Sequence, residues 1–308
     1  MLKPGLSIII VTWNTKSVTD ECLRRLKTAI DYVNGKLDSE VVVVDNDSND
    51  ETHKMIGEKY PWVKLVRSGI NLGYAKGNNL GFRKSNPKNK YLLLLNSDAY
   101  VEKETLANSL DFINSKKECD VFGCKLLREN GSLQPSAGNL PTPLNVWSWF
   151  WGMDLVPVLN KLFHQFHPRD ENFFRSDRKV GWVQGAFLFM NREVFEKTKG
   201  FDEKLFMYMD EVEWSRRVHD SGYNIFYTPG FSITHLDRAS AHQNPEKMAQ
   251  SYTLEVIGLV YYLRKYHPEK LGMLLPLLKL GAYLRWFAFF ILGNETRKQA
   301  YMKVIKEL

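Results

Sequence analysis

The chain has 308 residues, 44% hydrophobic and 25% charged, enough for one large domain with a real core, with or without an appendage. Three cysteines, Cys22, Cys119 and Cys124, stand in no metal-ligand spacing, which excludes a disulfide framework and points to a reducing compartment. Of the net charge of +7, residues 245–308 carry +5 (10 Lys/Arg against 5 Asp/Glu) among Leu, Trp and Phe, a pattern that argues against a nucleic-acid module and for an anionic membrane surface.

The opening Met1-Leu2-Lys3-Pro4-Gly5 runs straight into a strand, so a cytosolic catalytic domain without a secretory signal peptide is expected. Leu6–Val11 is a β-branched apolar run that predicts a buried strand ending in Thr12-Trp13-Asn14. Ser17–Tyr32 has helical periodicity, with Val18, Cys22, Leu26 and Ala29 on one stripe. A second strand, Val41–Val44, ends in Asp45-Asn46-Asp47-Ser48-Asn49-Asp50. There Ser48 or Asp50 suits a helix N-cap, and Asp45 suits a hydrogen bond to a base or ribose. Val63–Arg67 is a third strand, followed by the Gly/Asn-rich turn Asn71–Asn79 into a helix. Tyr91–Leu95 is a fourth, ending abruptly in Asn96-Ser97-Asp98 before a helix near Val101–Ser115.

This β-α alternation predicts a parallel, doubly wound sheet whose polar loops gather at the carboxyl ends of the strands, where ligands bind. A carboxylate there, Asp98, suits a hard divalent cation against a diphosphate. No G-x-G-x-x-G follows the first strand and no G-x-x-x-x-G-K-[ST] occurs, which disfavours dinucleotide and P-loop chemistry.

Further on, Val121–Leu127 is a strand and Glu129–Ser132 a hairpin turn. Residues 134–180 hold Pro135, Pro141, Pro143, Pro157 and Pro168 and the aromatic cluster Trp147-Ser148-Trp149-Phe150-Trp151. This reads as an aromatic lid, or else as a helical hairpin packing its aromatics inward. Val183–Met190 is a strand in which Gly185 lets a ligand approach the backbone. A helix opens with Asp210, Glu211 and Glu213 beside apolar residues that would raise a carboxylate's pKa toward general-base use. Tyr223–Tyr227 and Ser232–Thr234 are short strands with His235 just past the second.

Taken in order from Leu6 to His235, these motifs resemble family 2 glycosyltransferases, and in particular the bacterial rhamnosyltransferase-like branch. The resemblance rests on Val11-Thr12-Trp13-Asn14, Val44-Asp45-Asn46-Asp47-Ser48, Asn71-Leu72-Gly73-Tyr74-Ala75, Leu95-Asn96-Ser97-Asp98, Gly185-Ala186, Gly200-Phe201-Asp202-Glu203 and Met209-Asp210-Glu211-Val212-Glu213. It implies an α/β GT-A fold over 1–240, with nucleotide-sugar binding in 1–100. The implied activity is inverting transfer from a nucleotide-sugar, dTDP-rhamnose first and UDP-sugars second, to a glycan or lipid-linked saccharide of the cell surface. Thr12 and Asn14 would then line the nucleotide cleft and Asp45 would read the base, with Asn71, Gly73 and Asn79 on ribose or diphosphate. Asn96-Ser97-Asp98 matches the Asp-x-Asp position that binds Mn²⁺ or Mg²⁺, and His235 a further metal ligand. Asp210-Glu211 matches the carboxylate pair whose second member is the base. Asn96 departs from the usual aspartate, and Glu211 is one methylene longer than the commoner residue. A sugar nucleotidyltransferase and a non-catalytic sugar-nucleotide- or glycan-binding relative are the competing readings; the former lacks its glycine-rich loop here.

In the tail, Lys247–His267 and Met273–Leu292 read as long helices. The second approaches transmembrane length, but Pro276, Lys279 and Arg285 argue instead for an in-plane amphipathic helix on the cytoplasmic leaflet.

Overall fold

Strand β1 (Gly5–Thr12) lies between β2 (Asp38–Asp45) and β4 (Tyr91–Asn96), parallel to both, and its apolar residues are buried on both faces. The structure, a computed structural model, describes residues 3–151, 153, 165–236 and 245–308. Helix α1 (Lys16–Val33) follows β1, and helix α2 (Thr52–Lys59) joins β2 to β3 (Val63–Arg67). Helix α3 (Gly73–Lys84) leads on to β4. After β4 come β5 (Ala99–Tyr100), helix α4 (Thr105–Ser115) and β6 (Val121–Leu127) with the short hairpin strand β7 (Leu133–Gln134).

The described chain continues through β8 (Ala137–Gly138), helix α5 (Pro143–Phe150), β9 (Arg178–Lys179), β10 (Trp182–Val183) and β11 (Phe187–Asn191). Helices α6 (Arg192–Lys197) and α7 (Asp210–Asp220) precede β12 (Ile225–His235). The main sheet runs β3-β2-β1-β4-β11-β6-β12-β5, with β11 antiparallel to β4 and β6 and with β12 parallel to β6. The tail is three helices, α8 (Pro245–Tyr266), α9 (Leu271–Ile291) and α10 (Glu295–Glu307).

Alternation along the central strands divides the core. Ile8, Ile10, Val41, Val43, Leu93 and Leu95 face α1 and α4, while Ile9, Leu92, Leu94, Leu188 and Met190 pack with Phe195, Trp214 and Val218 on the other side. A third cluster joins Val146 and Phe150 of α5 to Met209 and Val212 of the α7 segment and to Val256, Leu263, Leu278 and Val304 of the tail. Within 134–180 the described helix α5 packs Val146 and Phe150 into this cluster, and residues 152 and 154–164 lie outside the description.

Three expectations are corrected. The strands at 223–227 and 232–234 are one strand, because Pro229 and Gly230 make a register irregularity between Thr228 and Ser232 without ending it, and His235 closes that strand. Helix α4 starts at Thr105, after the β5 bridge to β12. The run 183–190 breaks into β10 and β11, with Gln184–Ala186 forming the turn between them.

Candidate active site

Register brings the polar strand ends together. Thr12 pairs with Asp45 across β1 and β2, Val11 with Asn96 across β1 and β4, and the Asn96 amide donates to the Ala186 carbonyl (3.1 Å). His235 arrives opposite Ala99, and the Leu236 amide donates to the Asp98 carbonyl (3.0 Å). A cavity of about 410 Å³ opens at this edge, lined by Thr12, Asn71, Gly73, Asn96, Ser97, Asp98, Gly185, Asp210, Glu211 and His235 among others. The sequence reading singled out each of these ten.

One corner holds Asn96, Asp98 and His235. The imidazole of His235 is nearly buried; its Nδ1 lies 3.1 Å from Gln134 Oε1, an atom that can only accept, so Nδ1 carries a proton. Its Nε2 lies 3.2 Å from Asp98 Oδ1 and 3.3 Å from Asn96 Nδ2, which donates to it. An oxygen bonded to Nδ1 that fixes the tautomer and turns Nε2 toward a carboxylate is the arrangement of a metal-ligating histidine. Among the described residues no cluster of three or more His, Cys, Asp or Glu side chains is assembled for a metal. An ion that takes most of its shell from phosphate oxygens and water requires only one or two such ligands, so Asp98 and His235 fit Mn²⁺ or Mg²⁺.

In the same cavity, helix α7 begins with the acid pair. Asp210 is buried, with Oδ2 making no hydrogen bond, whereas Glu211 is half-buried on the cavity wall. Burial, and then the charge of Glu211, push the Asp210 carboxyl well above the usual carboxylate range. Burial also raises Glu211, though its own amide, the Asp210 side chain and the Gly185 amide all hydrogen bond to it and restrain the rise. Both carboxyls of the pair are thus raised, Asp210 the more strongly, and Glu211 is the member exposed at the cavity wall. The turn entering α7 places Tyr208 and Met209 both in the left-handed region (φ 66° and 63°), which costs about 1–2 kcal/mol for each such residue.

Gly73 needs its freedom of conformation. Its φ is +74°, and a Cβ there would lie 2.2 Å from the Phe206 carbonyl oxygen, which instead accepts from the Tyr74 amide at 2.8 Å. Asn71 Oδ1 accepts from the Gly73 amide (3.0 Å) and Asn46 Nδ2 donates to the Gly73 carbonyl (3.0 Å), so the loop is held from both sides.

Three of the expected ligand-binding residues are not brought to this cavity. Asn79 is not among the lining residues; its side-chain amide bonds both the carbonyl and the amide of Phe201 (3.0 and 2.9 Å). Asp45 is fully buried behind the lining, one oxygen accepting from the Ser48 amide (3.2 Å) and the other making no hydrogen bond. Asn14 faces a separate open cleft of about 830 Å³ between α1 and α2, which shares Trp13 and Thr15 with the central cavity but holds none of its carboxylates.

Conversely, Tyr74, Gln134, His167, Trp182, Gln184 and Glu255 line the central cavity without having been singled out as site residues. Only Tyr74 had a local signal, its place in the Asn71–Ala75 motif; its hydroxyl donates to the Gly185 carbonyl (2.9 Å).

A family model described as glycosyl transferase family 2 matches residues 7–199. An N-acetylglucosaminyl-diphospho-decaprenol L-rhamnosyltransferase of Mycobacterium tuberculosis is 28% identical over 216 residues, 67% of this chain and 69% of that protein. Rhamnosyltransferase WbbL of Escherichia coli K12 is 21% identical over 247 residues, 78% of this chain and 88% of that protein. Among solved structures, the mannosyltransferase PcManGT from Pyrobaculum calidifontis, in complex with GDP-Man and Mn²⁺, superposes with a TM-score of 0.56 at 17% identity, covering 100% of this chain and 86% of that one. The likeness covers the whole chain, and the α/β fold with its mostly parallel central sheet is of the GT-A type, with C-terminal helices following it.

Proposed function

The chain belongs to glycosyl transferase family 2 and is a glycosyltransferase; from that premise we propose that it transfers a sugar with inversion from a nucleotide-sugar to a glycan or lipid-linked saccharide. The donor nucleotide would be dTDP-rhamnose first and UDP-sugars second, a choice supported by the rhamnosyltransferases among its relatives. The observation that carries the reading is the single cavity that holds both the Asp98–His235 corner and the Asp210–Glu211 pair.

Thr12, Asn71 and Gly73 would receive the nucleoside and diphosphate, with Asn96, Ser97 and Gly185 shaping the wall around the transferred sugar. Asp98 and His235 would hold Mn²⁺ or Mg²⁺, whose chemistry when bound is to neutralise charge developing on the departing diphosphate. Glu211 takes the proton of the acceptor hydroxyl as that oxygen bonds to the anomeric carbon and the carbon–oxygen bond to the diphosphate breaks on the opposite face. Asp210, its carboxyl raised the more strongly, positions Glu211. A positioned base contributes about 10²–10⁴ in rate. The exposed apolar face of α9 supports a site of action at the cytoplasmic face of the membrane, where a lipid-linked acceptor would lie.

Calorimetric titration with dTDP, UDP and GDP, each with and without Mn²⁺, tests the donor reading. Metal-enhanced binding of dTDP or UDP is expected, retained in Glu211→Gln while transfer falls by about 10²-fold or more. Failure of all three nucleotides to bind would overturn the transferase reading, and near-normal turnover in Glu211→Gln would remove the base assignment.

A further inference from the structure

Strand β6 ends beside the Asp98–His235 corner. Its Leu127 pairs in parallel with Thr234 of β12, so Arg128 follows at the level of His235, the residue that closes β12. The paired strand β7 supplies Gln134, which lies opposite Leu126 and bonds His235 Nδ1. Arg128 lines the same cavity as Asp98 and His235, and it is exposed.

The hairpin between β6 and β7 holds Arg128 at both of its backbone groups. Its amide donates to the Ser132 carbonyl and its carbonyl accepts from the Gly131 amide (2.8 Å each). The guanidinium donates through Nη1 to the Leu133 carbonyl of the same hairpin, and among the described residues it forms no ion pair. An arginine carries five N–H donors in a planar fork. One bond to a carbonyl steadies this fork and leaves most of it for a ligand. Its planar shape suits phosphate, which accepts two parallel N–H bonds from it.

Sheet order indicates which phosphate that is. Thr12 closes β1, whereas β6 and β12 lie on the other side of β4, beyond β11. Asp98 follows β4, and its carbonyl accepts from the Leu236 amide just past β12. A nucleotide whose nucleoside rests on Thr12, Asn71 and Gly73 carries its phosphates across the strand ends toward Asp98 and His235. The outer phosphate is then the one that comes to the level of Arg128. Resting on the transferase reading above, we propose that Arg128 binds the outer phosphate of the donor's diphosphate, the one from which the sugar departs. There it offsets part of the charge that this phosphate gains as its bond to the sugar breaks.

Arg128→Gln and Arg128→Lys are compared with the wild type, each as the full chain, by calorimetric titration in Mn²⁺. The probes are whichever of dTDP, UDP and GDP the wild type binds, and the matching nucleoside monophosphate. Expected is a dissociation constant for the diphosphate raised about tenfold or more in Arg128→Gln, the weight of a charged hydrogen bond, with affinity for the monophosphate unchanged. Arg128→Lys, which keeps the charge and loses the fork, is expected to fall between. Unchanged diphosphate affinity in Arg128→Gln overturns the proposal while leaving the transferase reading in place. Equal weakening of both nucleotides would make the hairpin architectural and overturn it as well. No binding of any diphosphate by the wild type is the failure of the transferase reading itself, and it removes the proposal with it.

Discussion

Asp210 is buried, with one carboxylate oxygen making no hydrogen bond, and its carboxyl is pushed well above the usual range by burial and by Glu211. A carboxyl whose folded pKa exceeds its unfolded value near 3.8 favours the fold below that value and withdraws this support as pH rises toward the folded pKa. Asp210→Asn keeps a donor toward Glu211 and removes the titration. The expected outcome is a melting temperature equal to wild type near pH 4 and higher than wild type at pH 8, with transfer reduced. Paired thermal melts across pH check it, and parallel curves would show that Asp210 does not titrate with folding. Asp98, Asp210 and Glu211 were legible because each follows a local pattern, an apolar run or an aromatic run that stops at acids. His167 and Glu255 were not, because neither sits in a local motif and only packing between segments 88 positions apart brings them together.

Helix α8 acts on helix α7 at several points. Lys265 bridges Asp202 and Glu213 (2.8 Å each), the Tyr266 hydroxyl donates to Glu213 (2.7 Å), and that of Tyr208 donates to Ser251 (2.9 Å). Burial alone would raise Glu213; Arg217, Lys265 and Tyr266 outweigh it and hold the carboxyl below its usual range. Gly258 lies where a Cβ would meet Met209 Cβ at 2.9 Å and the Tyr208 carbonyl at 3.2 Å, so the absence of a side chain lets α8 press on the left-handed pair that precedes the acids. Alanine is the better helix residue by about 0.5–1 kcal/mol, but overpacking costs about 1–3 kcal/mol, and the contact involves Cβ, which cannot swing aside. Gly258→Ala is therefore expected to lower both the melting temperature and kcat while nucleotide affinity is kept. Unchanged kcat would show that the Tyr208–Met209 turn does not depend on α8. The parallel strands were legible from their composition. The coupling of the tail to the site was not, since periodicity marks α8 as amphipathic without saying which element its buried face meets.

At the scale of the whole molecule, helix α9 buries Leu274, Leu278 and Ala282 against the third core cluster and turns the opposite side outward. Met273, Leu277, Leu280, Leu284, Phe287 and Ile291, three or four residues apart, are 70%, 38%, 51%, 53%, 54% and 67% exposed. By length and composition the segment Pro268–Ile291, which contains α9, could cross a bilayer (24 residues, with an 18-residue stretch of mean hydropathy 1.5). A crossing would strip its buried face from the core and put Lys279 and Arg285 into hydrocarbon at about 2.5–3.5 kcal/mol each. It would also break the bond from Arg285 to the Phe150 carbonyl. Lying in the interface keeps those contacts and gains about 1 kcal/mol for each half-exposed apolar side chain. Arg297 and Lys298 lie 5.2 and 5.7 Å from the rings of Phe289 and Phe290, suited to anionic headgroups at the rim. The triple variant Leu277→Glu, Leu284→Glu, Phe287→Glu alters only the outward face, whereas removing the tail would also remove most of a core cluster. Sedimentation with phosphatidylglycerol vesicles is expected to bring down the wild type, less of it in high salt, and to leave the triple variant in solution with its nucleotide binding unchanged. Equal pelleting of the two proteins would remove the outward face of α9 as the membrane contact and leave the cavity without its route to a lipid-linked acceptor.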